Sequence, residues 1–513
     1  MKLINLLVFF SPFVAAAIIT YFTWARLLTL PLAYGLWLTM IVPFFMFVNF
    51  AEISLSSRKY NALIVGSPMK LRIAAFITSF NENPEIVEKT LIAVKNALGD
   101  MGEVFLLDDS TDKQIVKELI DFCSRNGIRY FHRNDRKGYK AGAINDALKR
   151  IEGEGFDLVA IFDADQRPTK DFFKQVLPYF EDPKIAFVQI PQRYTELYSS
   201  VAQGAKYQQE PFLRVIMKGR HSRSAFSLGS GTVFRISALK EVGYLPETSL
   251  TEDAAVSIKL HSKGYKSAYA DVPLIWYGIP PQDVNAYITQ QSRWAFGYFS
   301  LIRSILISNL SVAQFIDYYA GFLYWTMVGP LTIIEVASPA FFLITRIPII
   351  IINPILYIIV YLPYFLFSLF LFILIMRGTE YGIKGFYYHK TLEYLEFAAI
   401  TTAFISWLLR KKRPFKVTPK GSKAKASLKL VLPHIAILAT LVIAFIEGLW
   451  WLFTSSKVSE MLYYAIIVNL FWDAFFIPFF FNGIRLALQG SSTEGGYTYL
   501  GANTNLAENK KYS

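Results

Sequence analysis

The strongest constraint on this chain is where its apolar residues lie. They are gathered into long uninterrupted stretches on both sides of one more polar segment. A helix needs about 20 consecutive apolar residues to cross the hydrocarbon core of a bilayer. Leu3 to about Ala25 and Leu27 to about Phe50 meet that need before the polar segment. After it, so do about Tyr319 to Leu343, Ile349 to Met376, Leu430 to Phe453 and Met461 to Leu488. Two spans before and four after are therefore expected. With 53% hydrophobic and 18% charged residues, the composition does not suit an ordinary water-soluble protein.

Ala15-Ala16-Ala17 in the first stretch imitates a signal-peptide cleavage site. A second span follows at once, so a retained helix is expected. Two crossings then put the N-terminus and the polar segment on the same side. Lys411, Lys412, Arg413, Lys416, Lys420, Lys423 and Lys425 crowd one loop, while the opposite loops hold Arg26, Arg346 and Lys457. The positive-inside rule makes the basic loop, both termini and the polar segment cytosolic, in a multi-pass protein of the plasma membrane. The same rule accounts for the net charge of +13, so no nucleic-acid partner is expected. The single cysteine, Cys123, allows neither an internal disulfide nor a Cys-rich metal site.

Within residues 68–283 short apolar runs alternate with amphipathic stretches, the pattern of a mostly parallel sheet wrapped by helices. Arg72 to Ile77, Val104 to Leu107, Ile128 to Phe131 and Leu158 to Phe162 read as strands. Asn83-Pro84-Glu85 opens a helix to about Ala97, and Tyr139 to Lys149 forms another. Residues 284–310 are amphipathic and suit helices lying at the membrane surface. The apolar stretch Thr391 to Leu409 carries Glu393 and Glu396 and runs into Arg410-Lys411-Lys412-Arg413, so 391–429 is expected to hold a third surface helix and a loop. The N-terminal pair of spans fills 1–52, the middle pair 319–376 and the last pair 430–488. The tail, 490–513, is rich in Gly, Ser, Thr and Asn and is expected to be disordered, with no further domain after the last span.

Acidic residues recur at the C-terminal ends of the strands, where open α/β sheets hold their ligands. Asp163-Ala164-Asp165 ends one strand, and two such carboxylates can share Mg2+ or Mn2+ with a nucleotide diphosphate completing the shell. Asp108-Asp109 ends another and can accept from a base N–H or a ribose hydroxyl, although Ser110-Thr111-Asp112 beside it is also helix-capping chemistry. Lys140 begins a helix after Arg136-Lys137-Gly138-Tyr139, a setting that favours phosphate and that also suits a solvated turn. Asp253, with Glu252 in Thr251-Glu252-Asp253, could serve as a general base. Gln290, Arg293 and Trp294 share one helical face. An arginine suits a diphosphate and a tryptophan suits a sugar ring, yet both also anchor helices at membrane surfaces.

In this order, D-D, D-x-D, T-E-D and Q-x-x-R-W, the chain resembles the processive inverting glycosyltransferases of family 2, which include cellulose, chitin and hyaluronan synthases. Phe415-Lys416-Val417-Thr418-Pro419-Lys420-Gly421 is similar to the F-x-V-T-x-K-G gating loop of cellulose synthases and related glucan and mannan synthases. The resemblance covers about Leu71 to Gly421 and the spans on either side. It implies a GT-A-like α/β domain inserted in a helical membrane bundle, and a nucleotide-sugar-dependent hexosyltransferase using Mg2+ or Mn2+. Its implied partners are a UDP-sugar, first of all UDP-glucose, a polysaccharide acceptor and the lipid bilayer. GDP-mannose and UDP-N-acetylglucosamine come next. It implies that Glu82, Asp108 and Asp109 hold the nucleoside, and that Lys140, Arg293 and Lys420 face the diphosphate. Asp163 and Asp165 would bind the metal, Asp253 would deprotonate the acceptor, Gln290 and Trp294 would seat the acceptor sugar, and Thr418 would belong to the closing loop. Two departures stand against cellulose as the product: Gln166 follows D-x-D where cellulose synthases usually have His, and Phe226-Ser227-Leu228-Gly229-Ser230 replaces F-F-C-G-S.

Two other readings are compatible with parts of the sequence. One is a transferase that adds a single sugar to a lipid or protein-linked acceptor. The other is a transporter or channel with a nucleotide-binding domain, for which Glu335, Glu447 and Asp473 are the main ionisable residues within spans.

Overall fold

A computed structural model describes residues 2–60, 70–195, 197–377, 381–413, 428–454 and 459–489. The chain begins with two long apolar helices, α1 (Leu3–Thr23) and α2 (Leu30–Arg58). The α/β domain follows. Its first half runs β1 (Ile73–Ser79), α3 (Pro84–Leu98), β2 (Gly102–Asp108), α4 (Lys113–Arg125), β3 (Arg129–His132), α5 (Tyr139–Arg150) and β4 (Leu158–Asp163). Its second half runs β5 (Arg167–Pro168), α6 (Phe172–Val176), β6 (Ile185–Gln189), α7 (Ser200–Pro211), β7 (Thr232–Arg235), α8 (Ile236–Glu241), α9 (Glu252–Ser262), β8 (Lys266–Tyr269) and β9 (Ile275–Tyr277).

Seven strands form one sheet in the order β3-β2-β1-β4-β7-β6-β8, and β5 pairs with β9 in a small second sheet. All neighbours in the main sheet are parallel except β7, which runs antiparallel to both β4 and β6. Side chains alternate across a strand. Ile73, Ala75 and Ile77 therefore enter one core, while Ala74 and Phe76 enter the other. Helices cover both faces, which is why the central strands read as near-continuous apolar runs. Local chemistry fixes the helix starts. The Asn83 side chain accepts from Glu85 N at the head of α3, with Pro84 at its first position, and Asp112 accepts from Gln114 N and Ile115 N at the head of α4. The strand expected at Ile128 to Phe131 is Arg129–His132. The expected set of strands is incomplete: β6, β7 and β8 complete the sheet, with β6 joining it by long-range pairing with β7 and β8 by long-range pairing with β6.

The rest is helical: α10 (Val284–Ile307), α11 (Val312–Thr326), α12 (Thr332–Thr345), α13 (Pro354–Ile375), α14 (Gly382–Leu408), α15 (Leu428–Thr454) and α16 (Glu460–Gln489). The surface helices expected at 284–310 are one continuous helix, α10, because its apolar residues keep a single helical period throughout. A π-helical turn at Met327–Leu331, containing Pro330, joins α11 to α12 within one apolar stretch. Six helices among the described residues are long and apolar enough to cross a membrane: Leu3–Thr23, Leu27–Arg58, Val312–Thr345, Pro354–Ile375, Leu428–Thr454 and Glu460–Gln489. α14 is not among them. The loop at 415–421, with Thr418 and Lys420, and the tail 490–513 lie outside the described residues.

The domain is fused to the helical part. A buried cluster takes Ala254, Ala255 and Ile258 from α9, Ala295 and Phe299 from α10, Phe315 and Tyr319 from α11, and Leu38 and Val42 from α2. Burial on this scale, at roughly 25 cal/mol per Å² of apolar surface, holds the start of α9 firmly against the membrane helices.

Candidate active site

The C-terminal ends of β1, β2 and β4 form a rim. From β4 comes Asp163, whose side chain remains 40% exposed. Its Oδ1 accepts from Lys140 Nζ, and Lys140 also donates to the Gly229 carbonyl at 2.7 Å. Lys140 lies in the first turn of α5, whose start needs a close backbone approach. A Cβ on Gly142 would lie 2.0 Å from the Lys137 carbonyl oxygen, so a side chain there would push the turn away. Asp165 is buried, and its Oδ2 accepts from Ile279 N at 3.3 Å.

Gly229 is the hinge between this rim and the T-E-D segment. Its φ of 79° lies in the left-handed region that favours glycine. A Cβ there would sit 3.3 Å from Asp253 Oδ2 and 3.6 Å from Lys140 Nζ. The carboxylate of Asp253 and the lysine that pairs with Asp163 thus flank one glycine. Glu252 and Asp253 occupy the first turn of α9, where the helix dipole favours negative charge. Asp253 Oδ1 accepts from Ala254 N at 2.8 Å.

Arg293 reaches the same place from the helical side. Its guanidinium interacts with the charges of Glu252, Asp163 and Asp253, the first of these most strongly, while burial pulls its pKa below the usual value. The approach is set by Gly297, one turn further along α10. A Cβ there would lie 2.5 Å from Thr251 Cγ2, so only a glycine lets the T-E-D segment touch the α10 backbone. Gln290 and Trp294 lie on the same helix, and half-buried Trp294 packs against the cluster joining α9, α10 and α11.

Burial is the main cause of the acid shifts. It raises Asp253 to about 7, with the neighbouring Glu252 charge adding to it and Lys140 opposing it. It also raises Glu252, against the cations Lys140 and Arg293. A carboxylate raised toward neutrality beside Lys140 and Arg293 is a candidate for a general base.

The Asp108-Asp109 pair divides. Asp108 is fully buried, and its carboxylate accepts from Ser110 Oγ at 2.5 Å and Tyr130 OH at 2.8 Å. Those bonds make it a support for the loop rather than a group presented to a nucleoside. Asp109 is gripped by Arg133, with Nε donating to Oδ1 at 2.9 Å and Nη2 to Oδ2 at 2.5 Å. It lines a cleft of about 470 Å³ together with Ser110, Thr111, His132, Arg133 and Arg136. Glu82 follows β1 in the adjoining loop, where Asn81 Oδ1 ties the two loops by accepting from Thr111 N and Asp112 N.

Three supporting residues carry no signal at the level of motifs. Gln189, fully buried at the end of β6, pins the loop around Gly229. Its Oε1 accepts from Leu228 N at 2.7 Å and Thr232 Oγ1 at 2.6 Å, and its Nε2 donates to the Ser230 carbonyl at 2.9 Å. Ser257 Oγ donates to the Asp253 carbonyl and accepts from Ser227 N, locking α9 to the same loop. Tyr194 is held by Gln209 at 2.8 Å and by Gln290, and it feels the charges of Asp165 and Asp163. A glutamine closing the apolar run Ile185–Gln189 was the one visible hint, since a polar group there must find partners on folding.

Among the described residues no group of three or more His, Cys, Asp or Glu side chains forms a complete metal shell. Two carboxylates at one strand end suit a cation that takes its other ligands from water and phosphate oxygens, the habit of Mg2+.

Sheet, rim and flanking helices form a GT-A-like α/β domain set among helices long and apolar enough to cross a membrane. Residues 158–376 match the glycosyl transferase family group 2. The chain is 31% identical over 269 residues to a cellulose synthase catalytic subunit (UDP-forming) of Xanthomonas axonopodis pv. citri, covering 49% of this chain and 35% of that protein. It is 27% identical over 421 residues to the corresponding subunit of Pseudomonas fluorescens, covering 79% and 54%. A probable glucomannan 4-beta-mannosyltransferase of Oryza sativa is 35% identical over 213 residues, covering 39% and 38%. Among solved structures, a mannosyltransferase from Pyrobaculum calidifontis in complex with GDP-Man and Mn2+ superposes with a TM-score of 0.45 at 16% identity, covering 59% of this chain and 87% of that one. The chain thus spans between about a third and a half of the length of these curated relatives. Residues 158–376 thus carry the likeness to glycosyl transferase family group 2, the chain is similar to cellulose synthase catalytic subunits, and six of its described helices are long and apolar enough to cross a membrane.

Proposed function

We propose that the protein transfers a hexose from a nucleotide sugar, UDP-glucose first, to the growing end of a β-linked polysaccharide and passes the product across the membrane. The observation that carries this reading is the meeting of Asp253, Lys140, Asp163 and Arg293 around Gly229. In this scheme Asp253 takes the proton of the acceptor hydroxyl. The freed oxygen attacks the anomeric carbon, and the bond from that carbon to the diphosphate oxygen breaks with inversion. The nucleoside diphosphate leaves with the bonding electrons, and Lys140 and Arg293 balance its charge, the form of electrostatic help that fixed cations give without reorganisation. Asp163 and Asp165 would hold Mg2+ or Mn2+, which when bound neutralises the same leaving group. Asp109 and Glu82 would seat the nucleoside, and Gln290 and Trp294 the acceptor sugar. Thr418 and Lys420 would close over the nucleotide from the basic loop. The names of the relatives, UDP-forming cellulose synthases and a glucomannan 4-beta-mannosyltransferase, support a UDP-sugar or a related donor and a β-linked product. The lysine-rich loop supports a cytosolic domain and a plasma-membrane location.

The test is to give purified protein a panel of labelled nucleotide sugars with Mg2+ or Mn2+ and to size the product. A long chain cleaved by a linkage-specific β-glycosidase, made from one donor and lost on chelation, is expected. A product one sugar longer than its acceptor would replace this reading with single transfer to a lipid or protein-linked acceptor. Solute flux without sugar transfer would replace it with a transporter.

A further inference from the structure

A second polar cluster lies away from the reaction site, where the domain meets the membrane helices. Its centre is Asp317, in the second turn of α11 and 1% exposed. A carboxylate buried that deeply needs several partners. Arg223 supplies two, with Nε donating to Oδ2 at 2.7 Å and Nη2 to Oδ1 at 3.0 Å. Ser224 Oγ donates to Oδ2, and Arg220 Nη2 donates to the Asp317 carbonyl at 2.6 Å. The outer edge of Arg223 is bidentate to Glu52 of α2, at 2.8 and 3.0 Å. Gln314, one turn before Asp317, donates to the Arg223 carbonyl at 2.9 Å.

All the domain partners come from one short segment, Arg220 to Ser224. The segment lies against the α2 backbone, because a Cβ on Gly219 would be 2.2 Å from the Ile53 carbonyl oxygen. A few residues later the chain reaches Gly229, the residue between Asp253 and Lys140. Two membrane helices therefore grip the root of the loop whose tip lies in the reaction site. The other end of that loop is held from the sheet, by Gln189.

We propose that Asp317 is a positioning residue. Through Arg220, Arg223 and Ser224 it registers the Phe226-to-Gly231 loop against the membrane helices, so that the acceptor's end stays aligned with Asp253 while the nucleoside cleft at Asp109 is left alone. The kinetic part of this rests on the transferase reading above; the structural part does not. One bidentate guanidinium and a serine on the carboxylate, with a second guanidinium on the backbone carbonyl, give a fixed direction as well as attraction. A small misplacement of reacting groups is costly in rate, about 10²-fold for 1 Å.

The test uses the full-length protein with Asp317→Asn and, on the half-exposed outer edge of the cluster, Glu52→Gln. With Asp317→Asn, kcat for transfer should fall by about 10²-fold. KM for the nucleotide sugar should stay unchanged, and a larger share of donor should be hydrolysed to free sugar. Amide exchange in residues 225–231 should rise, while that of β4 stays the same. Glu52→Gln should shift the same quantities in the same direction by less. Unchanged kcat and exchange in folded Asp317→Asn, or a donor KM that rises with the fall in kcat, would overturn the proposal. If Asp317→Asn does not fold, Glu52→Gln decides alone: the same split supports the brace and wild-type behaviour rejects it. Wild-type protein that transfers no sugar ends the transferase reading, and the exchange comparison, which needs no turnover, still decides the brace.

Discussion

The proposed donor side and the proposed acceptor side of the site are built by different means. On the donor side, Asp109, Asp163 and Asp165 stand at or just beyond the ends of neighbouring parallel strands, so the register of β1 with β2 and β4 places them. On the acceptor side, Asp253, Gly229 and Trp294 come from a helix N-terminus, a loop and a second helix, and no strand pairing joins them. Their alignment depends on close backbone approach at Gly297 and Gly229, on the buried hydrogen bonds of Gln189, and on packing between α9 and α10. A sheet places ligand groups through many shared hydrogen bonds and tolerates single changes. An arrangement resting on a few close contacts does not.

Substitutions can break this contrast at either side. The largest effect is expected from Asp253→Asn, which removes the proposed base. Transfer should fall by about 10³-fold, measured as labelled sugar incorporated, with nucleotide binding kept. Wild-type transfer should also show an acid limb, rising with pH through about 7 as Asp253 loses its proton. The same shift sets the sign for stability. Between the ordinary value of 3.8 and about 7 the folded protein holds a proton that the unfolded chain has released. That contribution to stability is present at low pH and is lost as pH rises through the window. Asp253→Asn should flatten both profiles, and an acid limb that survives the substitution would reassign the titrating group.

Next comes Arg293→Ala, for which a fall of about 10² to 10³ in kcat is expected, with a smaller loss for Arg293→Lys. On the donor side, Asp109→Asn should raise KM for the nucleotide sugar, while Asp108→Asn should act on stability by about 1–3 kcal/mol through the bonds from Ser110 and Tyr130. Thermal unfolding and a donor titration separate the two; equal donor KM changes would remove the distinction drawn between the paired aspartates. The smallest stability effect is expected from Gly229→Ala, about 1 kcal/mol for a residue at positive φ. Its added methyl crowds Asp253 Oδ2 and Lys140 Nζ, so kcat should fall more than stability explains.

Much of the architecture was legible because it rests on local pattern. An apolar stretch long enough to cross a bilayer reports itself, and an apolar run closed by acidic residues marks a strand end on a ligand-facing rim. The antiparallel half was not legible in the same way. Ile185–Gln189 and Lys266–Tyr269 are short, and each becomes part of the sheet only through a distant partner. Nothing in Asp108-Asp109 shows which carboxylate is buried, because Tyr130 and Arg133 decide that from across the β2–β3 edge.

By itself, the sequence determined the number of apolar spans, the alternation of strand and helix, and the acidic rim, since each depends on neighbours in the chain. Only the tertiary structure decided that Gly229 separates base from lysine, that Gln189 holds it there, and that Asp317 grips the same loop from the membrane side. These are meetings of residues far apart in the chain, fixed by which surfaces are buried together, and burial of that kind leaves no local period to read.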